Sequence, residues 1–340
     1  MKQIMWVLVA LVALAVTGCT KKEQPAPAVE ETVVVEEKAP PVPVEPILPL
    51  PDTVDVNMDK VLLGRALYFD TALSGDGTVS CATCHSLDHG GAEPRKTSIG
   101  IKGQVGPINS PTVLNSSYNF VQFWDGRAAD LQEQAEGPVA NPMEMGATWE
   151  VVVAKLSKNK TYTAQFAELY TDGVTKDNVT DAIAEYEKSL VTPSRFDKYL
   201  RGDKTAITDA EKKGYETFKE VGCTACHTGI IVGGTMFQKL GLVKDYFADR
   251  GTEITDADLG RYNVTKKEQD KHFFKVPTLR NVELTPPYLP DGSRATLEET
   301  VKLMGTYQLG RDLTDAQVNS IVTFLKSLTG ELPAHAKPQG

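Results

Sequence analysis

Cysteine is scarce in this chain: five residues in 340 are too few for a disulfide framework, which excludes the small stapled folds. Basic charge is also short. Lys plus Arg number 36 against 45 Asp plus Glu, and the net charge of −9 gives no general reason to expect nucleic acid or another polyanion as partner. A cationic protein partner or a small neutral substrate suits such a surface better. The apolar run from Ile4 to Val16 is too short to span a bilayer comfortably. Strand signals are sparse. What is present in quantity, 41% apolar and 24% charged residues, rules out wholesale disorder, and the length suggests two domains, each with a core.

Residues 1–19 have the layout of a secretory signal, with Lys2 ahead of the apolar run. The run closes on Val16-Thr17-Gly18-Cys19, which resembles a bacterial lipobox, so Cys19 is expected to become a lipid-bearing N-terminus. Acyl chains there would hold the protein on a membrane surface through the lipid alone, and Thr20 after the cysteine favours the outer membrane, facing the periplasm. Residues 20–51 are rich in Pro, Glu, Val and Ala, with Pro40, Pro41, Pro43, Pro46, Pro49 and Pro51, and read as an extended tether.

The other four cysteines fall into two copies of one motif. Cys81-Ala82-Thr83-Cys84-His85 and Cys223-Thr224-Ala225-Cys226-His227 both have the Cys-x-x-Cys-His form of a c-type haem attachment. Two thiols one short turn apart reach the two vinyl groups, and the next residue's imidazole meets the iron from the same side. Zinc or disulfide readings compete, but zinc would need further thiolates or histidines at matched spacing. Two haem c groups are therefore expected, with His85 and His227 as axial ligands. Helices should lead into both motifs. Leu62, Leu63, Ala66 and Leu67 recur at helical spacing before a glycine-containing loop at residues 74–77, and Thr208 to Glu211 forms a capping box ahead of Tyr215 and Phe218. A further helix opens at Thr314, with Val318, Ile321, Val322 and Leu325 on one stripe. The expected class is mainly α, with few or no strands: two cytochrome c-like domains at about 52–200 and 201–330, each with one covalent haem, and a tail at 331–340.

Beyond the haem motifs, Asn109-Ser110-Pro111-Thr112-Val113-Leu114-Asn115, Gln122-Phe123-Trp124-Asp125-Gly126-Arg127, Leu190-Val191-Thr192-Pro193, Val276-Pro277-Thr278-Leu279-Arg280-Asn281 and Met304-Gly305 resemble the bacterial dihaem cytochrome c peroxidases over essentially all of residues 51–330. The resemblance implies a cytochrome c peroxidase reducing hydrogen peroxide to water with electrons from a small c-type cytochrome, a cupredoxin or a similar periplasmic donor. It implies that the haem on Cys81 and Cys84 is the peroxidatic centre and that the haem on Cys223 and Cys226 receives electrons. It gives the second haem Met304 as sixth ligand, with Met236 as the competitor. It gives Glu144 the acid/base work of O–O cleavage, Gln134 the orienting of peroxide or an ordered water, and Trp124 a place between the haems. It implies one Ca²⁺ held by the Asn109 side chain and the carbonyls of Thr285 and Pro287. Family members often pair, so a homodimer is open.

Two positions depart from the family pattern. Many members carry a distal histidine where this chain has Ile101, which has no lone pair, so the first haem is expected to stay open without reductive activation; His89 is the rival gate. Pro290 stands where many relatives have a histidine. Two other functions remain beside the peroxidase: a dihaem electron-transfer cytochrome, and a maturation-type enzyme oxidising a protein substrate. Met304 argues against the second, which typically uses a tyrosine ligand.

Overall fold

The computed structural model describes residues 45–338. The signal, Cys19 and the greater part of the expected tether lie outside the described residues. In chain order the first half carries α1 (Met58–Phe69), α2 (Cys81–Cys84), α3 (Leu131–Ala140), α4 (Trp149–Leu156), α5 (Lys160–Leu169), α6 (Lys176–Lys188) and α7 (Arg195–Leu200). The second carries α8 (Asp209–Val221), β1 (Phe237–Lys239), α9 (Tyr246–Arg250), α10 (Tyr262–Thr265), β2 (Phe273–Lys275), α11 (Leu297–Leu303) and α12 (Asp315–Lys326). The mainly helical expectation holds. The single sheet among the described residues is the antiparallel pair β1–β2, which sets Phe237 opposite Lys275.

Each half is framed by two helices crossing at a glycine. On α1, a Cβ at Gly64 would lie 1.8 Å from the Ala182 carbonyl oxygen of α6; on α8, a Cβ at Gly214 would lie 2.2 Å from the Ser320 carbonyl oxygen of α12. Only a residue without a Cβ permits backbones so close. This approach also explains which stripe of α1 is buried. Leu63 and Leu67 face inward as expected, but Val61, Gly64 and Tyr68 complete the buried face while Leu62 stays 41% exposed.

The expected caps form at two helices, where Thr208 and Glu211 cap α8 reciprocally and Thr314 and Gln317 do the same for α12; at the start of α1 Asn57 also accepts from the Asp59 and Lys60 amides. The α8–α12 pair encloses an aromatic core in which Phe196 meets Phe324 at 5.0 Å and Tyr215 at 4.9 Å between ring centroids. Leu63, Leu67, Val152, Phe166 and Val179 form the counterpart in the first half. The two halves pack closely enough that contacts alone do not part them.

Both ends of the described chain are held. Residues 45–51, read from composition as the last part of a tether, are packed instead: Ile47 and Leu50 are buried, Gly229 N–H donates to the Pro46 carbonyl at 2.9 Å, and Leu50 N–H donates to Asp197 Oδ1 at 2.7 Å. The centre of that anchor is an ion pair with no exposure on either side. Arg280 Nη1 donates to Asp197 Oδ2 at 2.8 Å, its Nε to the Ile230 carbonyl at 2.7 Å and its Nη2 to the Leu48 carbonyl at 3.1 Å. At the other end Ala336 is buried, and its carbonyl accepts from Tyr186 Oη at 2.6 Å.

Candidate active site

The first haem motif occupies α2 and the residue after it. Ser80 and Thr83 form a capping box around this four-residue turn, and His85 N–H donates to the Cys81 carbonyl at 2.9 Å, so both thiols and the imidazole leave one tight turn. His85 Nδ1 lies 3.0 Å from the Pro111 carbonyl. A carbonyl only accepts, so Nδ1 carries the proton and Nε2 keeps its lone pair, the arrangement an iron-binding histidine needs. Burial also pushes the His85 pKa down, which keeps the ring neutral. In the second motif burial drives His227 to about 4, and its Nδ1 lies 3.3 Å from the Val232 carbonyl.

A matching pattern supports both histidines. Residues 111–115 and 277–281 share Pro-Thr-x-x-Asn, and in each copy the threonine hydroxyl donates to a backbone carbonyl (Gly90 for Thr112, Ile231 for Thr278) and accepts the amide two residues on. Asn115 and Asn281 both take φ 59° and both donate to Thr192 Oγ1, at 2.9 and 2.8 Å. The repeat is visible in the sequence and could have identified these supports without the fold.

The four motif cysteines form no disulfide with one another. The described residues contain no group of three or more His, Cys, Asp or Glu able to hold a metal ion. The zinc reading therefore loses its ligands. An open-mouthed cavity is instead lined by Cys81, Cys84 and His85 and mostly by apolar atoms. An apolar slot with two thiols and one neutral imidazole fits a c-type haem.

Trp124, Gln134, Glu144 and Asn109 line the same cavity. Trp124 is fixed at both polar ends: its Nε1 donates to the Asn109 carbonyl at 2.9 Å, and its own carbonyl accepts from the Lys275 amide at 2.8 Å. Its other neighbours include the cluster of Tyr246, Phe247, Phe274 and Leu289, against which Met304 also packs. Glu144 is largely buried, and that burial raises its carboxyl above the usual range, opposed by the Asn141 amide at 2.7 Å and by the charge of Arg127. Gln134 sits on α3, whose start is capped by Asp130.

Ile101 is buried in the first-half core beside Met145, and its N–H donates to the Glu144 carbonyl at 2.8 Å. His89 lies on an exposed turn and does not line the cavity. Met304 begins a single π turn, Met304–Gln308, at the end of α11, whereas Met236 lies beside β1 with its carbonyl accepting from Val276. Two cavity residues escaped the sequence reading: Glu187 of α6, which burial raises to about 8, and Lys275 of β2.

The family model for di-haem cytochrome c peroxidase matches residues 58–205. A cytochrome c551 peroxidase of Nitrosomonas europaea is 49% identical over 86% of this chain and 87% of its own length. The chain belongs to the dihaem cytochrome c peroxidase family. A cytochrome c peroxidase of Escherichia coli strain K12 is 54% identical over 84% of this chain, which spans 61% of that relative's length. Among solved structures, a MauG-like protein associated with microbial copper homeostasis matches at a TM-score of 0.72 and 27% identity, covering 84% of this chain and 94% of that one. Membership implies two haem c groups, for which the two motifs supply the thiols and histidines.

Proposed function

We propose that this dihaem peroxidase reduces hydrogen peroxide to water with electrons from a small c-type cytochrome, a cupredoxin or a comparable periplasmic donor. The observation that carries the reading is a partly buried carboxyl with a raised pKa, Glu144, in the same cavity as Cys81, Cys84 and His85. When bound there, haem supplies an iron that can take up peroxide and pass electrons. The chain's own residues do the rest. Cys81 and Cys84 hold the macrocycle, and His85 presents Nε2 because its Nδ1–H donates to the Pro111 carbonyl. Glu144 takes a proton from the near peroxide oxygen and returns one to the leaving oxygen, work that suits a carboxyl whose burial brings its pKa closer to neutrality. Gln134 orients the substrate, and Trp124, immobilised by Asn109 and Lys275, offers a rigid π system between the haems. In the second half Cys223, Cys226 and His227 would hold the electron-entry haem and Met304 would supply a thioether to its iron; the π turn that Met304 begins, a feature frequent at functional sites, favours it over Met236.

The first haem is open at rest in this reading. Its support is the burial of Ile101 among apolar side chains and the exposure of His89. One Ca²⁺ bound by the Asn109 side chain and the Thr285 and Pro287 carbonyls fits the hydrogen bonding: the Asn109 amide nitrogen is taken by the Arg95 and Lys96 carbonyls, while its Oδ1 and the two backbone oxygens accept nothing from the described residues. The lipobox-like run ending at Cys19 supports a periplasmic protein anchored by lipid to the outer membrane.

The test is peroxide consumption with reduced c-type cytochrome, comparing oxidised enzyme with enzyme pre-reduced by one electron, alongside the EPR spectrum of the oxidised form. Equal immediate activity with a high-spin haem is expected. A lag removed by pre-reduction would overturn the open site, and no turnover in either state would leave an electron carrier.

A further inference from the structure

Lys275 brings a positive charge to a place where no described residue answers it. It is 6% exposed, and its side chain makes neither an ion pair nor a hydrogen bond with any described residue. The other deeply placed cations are paired, Arg280 with Asp197 at 2.8 Å and Arg250 with Asp258 at 2.7 Å. Burial alone acts on Lys275, pushing its ammonium down to about 8. An isolated buried ammonium is costly and either sheds its proton or finds an anion.

The strand explains where the charge goes. Alternate residues of β2 face opposite ways, so while Phe274 packs with Leu240, Tyr246 and Phe247, Lys275 lines the cavity that holds Cys81, Cys84 and His85. Glu144 and Glu187 line that cavity too, but neither forms an ion pair or hydrogen bond with Lys275. Lys275 is also the residue whose amide holds the Trp124 carbonyl at 2.8 Å. An anion missing from the protein itself is therefore wanted beside Trp124, in a cavity shaped for a group whose own edge carries two carboxylates.

We propose that Lys275 is the counter-cation of a propionate on the haem carried by Cys81 and Cys84, a positioning residue that fixes that edge of the macrocycle beside Trp124 and raises the reduction potential of that haem. The inference rests on the reading that this cavity holds a haem, and it does not depend on peroxide being the substrate. One residue then performs two tasks, its backbone holding the tryptophan and its ammonium the haem edge.

The experiment is a spectroscopic redox titration of both haems in the holoenzyme and in Lys275→Met, Lys275→Gln and Lys275→Arg. Losing the cation leaves a propionate charge that favours the ferric form, so Lys275→Met and Lys275→Gln should shift the oxidised-to-reduced ratio of the first haem at least tenfold toward oxidised. For one electron that is about 59 mV downward. Lys275→Arg should stay within threefold of wild type, and the second haem should not move in any variant. An unchanged first haem in Lys275→Gln would overturn the proposal, as would an arginine variant shifted as far as the glutamine one, which marks a packing role. A wild-type potential that moves tenfold between chloride and phosphate buffers of equal ionic strength would assign the cation to a diffusible anion and also overturn it. Peroxide turnover by the wild type tests the functional reading separately, so the two can fail independently.

Discussion

Replacing Glu187 by Gln should remove a pH-dependent weakness built into α6. The carboxyl is 5% exposed, faces the cavity near Cys81, and is raised from 4.5 to about 8 by burial alone. Raising the folded pKa of an acid means that the native state holds its proton more tightly than the unfolded chain does. The contribution to stability is therefore fully present below about pH 4.5, declines as pH rises, and is lost above about pH 8. The interval from 4.5 to about 8, at about 1.36 kcal/mol per unit, is worth about 5 kcal/mol. Gln has nearly the shape of the protonated acid and no charge to bury, so the variant should match wild type at pH 5 and exceed it by about 4 kcal/mol at pH 8. Urea unfolding of the haem-loaded proteins at pH 5, 6, 7 and 8, followed by circular dichroism, reads the difference directly, and groups common to both proteins cancel. A gap between variant and wild type that stays within about 1 kcal/mol across that range would show that Glu187 is ionised or solvated in the folded protein, and the burial argument would fail.

Glu144→Gln should lower kcat/KM for peroxide by about 10²–10⁴-fold while leaving haem loading and both visible spectra intact, because it removes proton transfer without removing volume; a loss below fivefold would refute its acid/base role. In wild type, the limb of the kcat/KM–pH profile that reports this carboxyl should lie above the ordinary glutamate value, since burial raises it, and should vanish in the variant. Arg280→Leu leaves Asp197 buried without its cation and frees residues 45–50, so chemical unfolding should show a loss of about 3–5 kcal/mol. His89→Ala should leave the EPR spectrum and the initial rate of oxidised enzyme unchanged, since the side chain sits on an exposed turn.

The parts of this molecule that local sequence determines are legible in the sequence itself. The capping boxes at Thr208 and Thr314, the helix ahead of the first haem motif and the spacing of both Cys-x-x-Cys-His turns depend on residues a few positions apart, and each appears where the pattern places it. Composition was a poorer guide at the chain ends. A proline-rich stretch has little intrinsic reason to pack, yet residues 45–51 are held because Arg280 and Asp197, far away in sequence, offer a carboxylate and a guanidinium to its backbone. The resemblance to a family brought Glu144, Gln134 and Trp124 into view; periodicity alone would have left the first two on a solvated helix face.

Lys275 and Glu187 mark the limit of that reading for a physical reason. Burial of a charge is a tertiary property: a lysine between Phe274 and Val276, or a glutamate between Tyr186 and Lys188, carries no local sign that its head group will face a cavity instead of water. The alternation of β2 hints at it, since a strand with Phe274 inward turns Lys275 to its other face, but whether that face meets solvent depends on what lies across it. Here the first half of the chain lies across it, through Trp124 and the cavity of the first haem motif. A charged residue on an otherwise apolar strand whose amide bonds to a loop of the opposite half is therefore best read as a functional contact between the halves, since the cost of keeping it charged there falls when the cavity carries a negative charge.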